Sequence, residues 1–555
     1  MEQPGGANLK TERSSMARFH SKIESGTPEF VAKQEEMSVL LAELADLNLR
    51  AGTLSEKRRA RFDERGQLSP ADRLGHLLDP GMPWLEMYNL ANYLVEDANP
   101  KTSVPGGSAI AGIGYISGVR MMVFVTDSGI NAGASTPRSS QKLRACLDLS
   151  LRHKLPFIHL VESAGANLRT YNVEGWANGG GTFRRLAQLS AAGIPTFAVL
   201  HGPSTAGGAY YPGLSDYVIA VKGRGAASLG GAALVKAATG EEADPEALAG
   251  AEMHATISGL VEYLVDDDAA AIATARDIIA RLDWNRNCTP PPLRNYEPPV
   301  HDPSEITGVV DVDYRKPYDV REVVARITDG SAFDDFKPSY GVSVVCLQAN
   351  IMGHACAIIG NNGPIDTQGA TKAAQFIQLC DQSDTPLIFL HNVTGFMVGT
   401  SYEQAGMVKH GSKMIQAVAN VQVPKISMHI GASFGAGNYG MAGFGYEPDF
   451  LFSWPNSCSG VMGGEQAAIT MEQVARSSAA RKGIAIEEAK LAEQSAELIA
   501  HFDSQSSAFY TSGRLLDMGV IDPRDSRKVL GFCLQTCREA RHRVVRPNSF
   551  GVARM

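Results

Sequence analysis

The chain repeats itself. Residues 142–156 and 372–386 match in length and character, each an amphipathic stretch that ends in a proline before an apolar run, 157–161 in one and 387–390 in the other. The offset is 372 minus 142, or 230. Further on, Pro195 leads through an apolar run to Thr205-Ala206-Gly207-Gly208-Ala209, and Pro424 leads through another to Phe434-Gly435-Ala436-Gly437-Asn438. Here the offset is 424 minus 195, or 229, which sets Gly207-Gly208 opposite Ala436-Gly437. A register kept to within one residue over this distance indicates a duplicated folding unit. The chain is therefore expected to hold two domains of one kind.

Within the first unit, strand-length apolar runs (121–125, 157–161, 196–200) alternate with helix-like stretches (139–152, 183–192). This strand-then-helix rhythm predicts an α/β layer fold in each half. Between the halves stand Pro290, Pro291, Pro292, Pro298, Pro299 and Pro303, which cannot continue a helix or a central strand. The reading is a helical arm and lead-in over 1–100, a first domain over 101–295, a Pro-rich linker over 296–310 and a second domain over 311–555. In the arm, Met37, Leu40, Leu41, Leu44 and Leu47 recur at helical spacing, and such a stripe is expected to pack against the first domain.

Composition excludes several classes of function. A net charge of −8 offers no basic field to a nucleic acid. No run approaches the 18 apolar residues of a membrane span, and the one after Val421 is broken by Lys425 and His429. The first residues carry Glu2 and Glu12 without an apolar core, which fits neither a secretory signal nor a transit peptide. Eight scattered cysteines fit reduced thiols, and Cys533 with Cys537 makes no zinc site alone. A cytoplasmic protein with no metal of its own is the expectation.

Chemistry is sought at the repeated turns. A strand that ends in a Gly-rich turn opening a helix leaves backbone N–H groups unpaired and pointing one way, with the helix dipole behind them. Such a turn can hold an enolate oxygen, and glycine lets that oxygen come close. A single Gly-Gly pair also serves plain close packing; two at equivalent places of a duplication point to function. Neither turn has the phosphate-loop or dinucleotide spacing.

Four runs carry a family resemblance that extends from about Arg61 to Leu530. They are Asn361-Asn362-Gly363-Pro364-Ile365, His391-Asn392-Val393-Thr394-Gly395-Phe396-Met397-Val398-Gly399, Ser433-Phe434-Gly435-Ala436-Gly437-Asn438-Tyr439-Gly440 and Met462-Gly463-Gly464-Glu465-Gln466-Ala467. The chain resembles the carboxyltransferase β subunits of biotin-dependent acyl-CoA carboxylases, of the 3-methylcrotonyl-CoA and geranyl-CoA type. The resemblance implies two crotonase-like (ClpP/crotonase) domains, the first holding acyl-CoA and the second biotin. It further implies a β-subunit homohexamer, α6β6 with separate biotin-carrying α subunits, and an active site between the first domain of one subunit and the second of another. By the same resemblance Gly207 and Gly208 would hold the acyl-CoA enolate, and Ala436 and Gly437 the ureido oxygen of biotin. Thr394, Gly395, Phe396, Gly435 and His410 would line the biotin side; Ser163, Ala164, Gly165, Ala166, Gly179, Ala206 and Gly231 would line the acyl-CoA side. For His410, Phe396 and the 162–167 turn, ordinary packing is the competing reading.

The first half departs from the pattern. Relatives usually carry glycine where Ala164 stands and Gly-Pro-Pro where Gly231-Ala232-Ala233 stands. Gly179 also stands near where enzymes for the short methylcrotonyl group tend to have an aromatic, so a longer acyl chain is favoured, geranyl-CoA first and 3-methylcrotonyl-CoA next. The alternatives are another acyl-CoA carboxylase of the propionyl or acetyl type, a crotonase-like hydratase or isomerase without biotin, and a silent scaffold.

Overall fold

The computed structural model describes residues 16–167 and 172–552. The leading residues, where no targeting signal is expected, lie almost wholly outside the described residues. Each half is built on one sheet. The first takes β1 (Leu85–Glu86), β2 (Ala109–Ile116), β3 (Val119–Thr126), β4 (Phe157–Ser163), β5 (Thr196–Thr205), β6 (Tyr217–Val221), β7 (Ala226–Ser228) and β8 (Tyr263–Val265) in the order β1-β2-β3-β4-β5-β6-β8, with β7 on β5. The second takes β9 (Phe333–Asp335), β10 (Val344–Ile351), β11 (His354–Asn361), β12 (Leu387–Val393), β13 (Lys425–Phe434), β14 (Phe450–Ser453) and β15 (Cys458–Gly460) in the order β14-β13-β12-β11-β10-β9, with β15 on β13. In both, an antiparallel hairpin leads into parallel strands joined by helical crossovers.

The halves agree in detail. The β2–β3 turn has Ser117 at φ 50° and Gly118 at 75°, and the β10–β11 turn has Met352 at 50° and Gly353 at 81°, the paired positive φ of a type I′ hairpin. Asp79 accepts from the N–H groups of Ser117 and Gly118 (2.8 and 2.6 Å), as Asp329 does from Met352 and Gly353 (2.8 and 2.9 Å). Each aspartate closely follows a short helix, Pro70–Leu77 or Val320–Ile327. Helix Pro70–Leu77 and β1 thus join the first half from within the stretch expected to be lead-in.

The crossover helices Pro137–His153 and Thr367–Gln382 each bury one lysine against main chain. Lys142 Nζ donates to the carbonyls of Gly106 (3.1 Å) and Ala109 (2.7 Å); Lys372 Nζ donates to those of Lys337 (3.2 Å) and Tyr340 (2.9 Å). Both are fully buried. Burial pushes the Lys142 ammonium down to about 8.

One apolar core joins the halves, taking Met122 and Leu147 from the first, Ile358 and Ile426 from the second, and Leu530 and Leu534 from the C-terminal helix Ser526–His542. The N-terminal helix Pro28–Glu56 spans both halves and not the first alone. Phe30 closes on Gly308 of the linker, leaving no room for a Cβ there; Leu44 and Leu47 pack with Phe509 and Val520 of the second half, and Ser55 donates to Asp127 of the first at 2.6 Å.

Candidate active site

The first turn grows from β5. Thr205 ends the strand, Ala206 takes φ 54°, and residues Ala206–Ala209 form one tight helical turn that runs into Tyr210–Leu214. Ala206 and Gly207 are exposed and Gly208 half-buried. Beneath them Ser204 Oγ donates to the Gly208 carbonyl at 2.8 Å, and a Cβ at Gly208 would lie 3.1 Å from that hydroxyl. A Cβ at Gly207 would lie 3.6 Å from Phe183 Cζ, so Phe183 of helix Val173–Ala191 borders the turn.

The β4 turn lies against it. Gly165, at φ 94°, could carry no side chain, because a Cβ would lie 2.9 Å from Thr205 Oγ1. Ala164 and Ala166 face outward, whereas Ser163 is buried with its hydroxyl given to the Gly133 carbonyl at 2.7 Å. Ser163 Oγ also accepts from Gly165 N–H (3.2 Å), and Ala164 N–H donates to Ala132 O (3.0 Å). Of this expected set, Ala164 and Ala166 present surface, while Ser163 and Gly165 set the turn. Gly231 N-caps helix Ala232–Thr239 with extended φ −69°, ψ 163°. Ala232 therefore stands at the first helical position, where a proline would fit.

The second turn grows from β13 in the same way: Gly435 takes φ 54° and opens Gly435–Gly440. Ala436 is exposed and Gly437 buried. A Cβ at Gly437 would lie 2.9 Å from Val393 Cγ2 and 3.0 Å from Gly395 Cα, so the β12 and β13 turns interlock. Both halves carry a register shift just before these turns, between Val161 and Ser163 and between His391 and Val393; such shifts re-aim strand ends beside active sites. In both turns the first N–H groups of the helical segment have no intrahelical acceptor ahead of them.

Beside Ala436 opens a cleft of about 760 Å³, bordered by His429, Ser433, Asn438, Ser459, His501 and Arg514 among others. Thr394 is exposed beside the interlocked turns. Phe396 is half-buried, 3.4 Å from where a Cβ of Gly411 would stand and 3.1 Å from one of Gly440, so its ring packs between two helices. His410, on helix Met407–Asn420, pairs through Nδ1 with Thr371 Oγ1 at 2.7 Å.

Sequence reasoning missed a buried polar cluster under the second turn. His391 and His429 face each other across β12 and β13, ring centroids 4.6 Å apart. Nδ1 of His391 bonds Ser433 Oγ at 2.8 Å, and Asn438 Nδ2 donates to the same oxygen at 2.8 Å. Burial, with His429 alongside, holds His391 well below the usual range, and burial pushes His429 down to about 4. Two histidines in otherwise apolar runs, one at the end of 387–391 and one inside 426–430, were the available signal. His153, Asp449 and Cys537, distant in sequence, also meet, with candidate ligand atoms within 4.8 Å of one another.

The family described as carboxyl transferase domain matches residues 62–549. A probable biotin-dependent acyl-coenzyme A carboxylase beta2 subunit of Mycobacterium tuberculosis is 46% identical over 497 residues, 89% of this chain and 92% of that one. The mitochondrial methylcrotonoyl-CoA carboxylase beta chain of Dictyostelium discoideum is 42% identical over 505 residues, 90% of this chain and 84% of that one. Among solved structures, the geranyl-CoA carboxylase beta subunit of P. aeruginosa superimposes with a TM-score of 0.91 at 46% identity, covering 97% of this chain and all of that one.

Proposed function

The chain belongs to the carboxyl transferase family of the biotin-dependent acyl-CoA carboxylases, and we propose that it carboxylates the γ-carbon of a long, branched α,β-unsaturated acyl-CoA, geranyl-CoA first. The observation that carries this choice is a bare helix face beside the first turn. Trp176, Gly179, Gly180 and Phe183 share one face of helix Val173–Ala191. Phe183 borders Gly207, Trp176 is 71% exposed, and a Cβ at Gly179 or Gly180 would meet nothing within 4 Å. An acyl chain leaving the turn past Phe183 therefore has an open, partly apolar wall two helical turns long. The methylcrotonoyl relative supports 3-methylcrotonyl-CoA as the second reading.

In this reading Gly207 and Gly208 direct their N–H groups at the thioester oxygen, which gains charge as the γ-proton leaves and the vinylogous dienolate forms. Two such donors contribute several kcal/mol. Ala436 and Gly437 hold the ureido oxygen; the neighbouring cleft of about 760 Å³ is roomy enough for a bicyclic ring and its arm. Carboxybiotin supplies the carboxyl group and a ureido nitrogen able to accept the proton. The residues of this chain position the reactants and stabilise two oxyanions, with acid–base chemistry left to the reactants themselves.

The assembly that fits is a β hexamer with biotin-bearing α subunits in the cytoplasm. All eight cysteines are free thiols, in keeping with a reducing compartment. The test is co-expression with a biotinylated partner and carboxylation assays across a panel of acyl-CoAs. We expect geranyl-CoA to be preferred and turnover to vanish when avidin captures the biotin. Turnover that persists with avidin, or a preference for propionyl-CoA or acetyl-CoA, overturns the reading; assembly without turnover on any substrate makes the chain a scaffold.

A further inference from the structure

We infer that His391, Ser433 and Asn438 are positioning residues that aim the Ala436-Gly437 N–H groups; this rests on the reading of that turn as the ureido-oxygen site. The duplication supplies an internal control. Carried back by 230 in β12 and 229 in β13, His391 falls on Val161 (391 minus 230) and His429 on Leu200 (429 minus 229). Strand pairing likewise sets Ser453 on Ala220 and Ser459 on Ala227. In the first half these four residues belong to one buried apolar cluster. The fold alone therefore packs well without polar groups here, and each buried polar group left unbonded costs about 1–3 kcal/mol.

The residue the two halves share is the serine before the turn, and its hydroxyl is bonded differently in each. Ser204 Oγ donates forward to the Gly208 carbonyl at 2.8 Å. Ser433 Oγ instead accepts from Asn438 Nδ2 and pairs with His391 Nδ1, both at 2.8 Å. The first-half counterpart of Asn438 is Ala209 (438 minus 229), which cannot close such a chain. The Asn438 amide is itself held against Gly443, where a Cβ would run into it. The second turn is thus tied by side chains from Asn438 to the strand beneath, and Ser433, Asn438 and His429 border the same cleft as Ala436. Donors held in this way meet an arriving oxygen without reorganising.

The test uses the assembled protein with its biotin-bearing partner. It follows reverse transfer from the carboxylated acyl-CoA to added free biotin, so that biotin and acyl-CoA are varied separately. His391→Asn keeps a hydrogen-bonding atom where Nδ1 sits; His391→Gln keeps polarity but moves that atom away. We expect His391→Gln to raise the KM for biotin roughly tenfold, with the acyl-CoA KM within about twofold of wild type, and His391→Asn to stay near wild type. The double variant His391→Val/His429→Leu, which installs the apolar pair of the first half, is expected to keep its Tm and show the same loss toward biotin. Equal biotin KM values in all forms, or a loss shared equally by both substrates together with a lower Tm, overturns the inference. Wild-type protein that transfers nothing to biotin overturns the functional reading itself, and this inference with it.

Discussion

Ala206 and Gly435, 229 residues apart (435 minus 206), have the same backbone φ of 54° at the entry to their turns. Glycine adopts this conformation freely; alanine does so at a cost of about 1–2 kcal/mol. The first turn therefore stores strain that the second does not, as functional turns often do. Ala206→Gly should raise the stability of the protein by up to about 1 kcal/mol, after the entropy lost by the freer unfolded chain is counted. The check is the urea midpoint, and a lower midpoint in the variant would contradict the assignment of strain.

The bare helix face predicts substrate length. A Phe at 179 meets no atom within 4 Å of its Cβ, so the change should fold normally and fill the open wall. Gly179→Phe is expected to shift kcat/KM toward five-carbon acyl groups by roughly tenfold, about the value of a single methylene in an apolar pocket. An unchanged chain-length profile removes the argument for geranyl-CoA.

Behind the first turn, Arg73 is buried between Glu162 (2.6 Å) and Asp268 (3.2 Å), and Asp268 also bonds His201 Nδ1 at 2.8 Å. Glu162 immediately precedes the Ser163 turn, and Asp268 opens helix Asp268–Arg281. Arg73→Met leaves two buried carboxylates without their main cation and should destabilise the protein by about 3–5 kcal/mol. Chemical denaturation measures it; a loss below about 1 kcal/mol would mean that the nearby Arg224, 4.0 Å from Asp268, takes over.

Asp517 gives a pH dependence. Burial raises its carboxyl from 3.8 to about 6, although Oδ1 accepts from the Gly519 N–H at 3.0 Å. A carboxyl raised on folding stabilises the folded state fully below its unfolded pKa, and that contribution is lost as pH rises through 6. Asp517→Asn should therefore gain on wild type between pH 5 and pH 8, by on the order of 1 kcal/mol. Paired denaturation curves at the two pH values check it. A constant gap would show that the carboxyl does not titrate in this window.

What the sequence could disclose followed from how local each constraint is. The strand-to-helix turns at Gly207 and Gly437 were legible because glycine and proline requirements act within a few residues and the repeat marks them twice. Ser163 was expected at the substrate surface, yet its hydroxyl turns inward to Gly133, a partner 30 residues away whose position no local pattern reveals. The His391 chain depends on the register between β12 and β13, including a shift, and so became visible only with the strands paired. The arm is a helix, and Leu44 and Leu47 of its stripe pack with Phe509 and Val520, far along the chain, contacts that no local pattern reveals.

The two sealed lysines have a practical consequence. Lys142 and Lys372 lie inside their layers with both ammonium groups on main-chain carbonyls, out of reach of any reagent in solution. An acylating agent can modify either one only while the layer around it stands open. The duplication has thus fitted each half with its own clock. Acylation rates at the two peptides, read by mass in a single sample, would time the opening of each half and tell whether they come apart together or in turn.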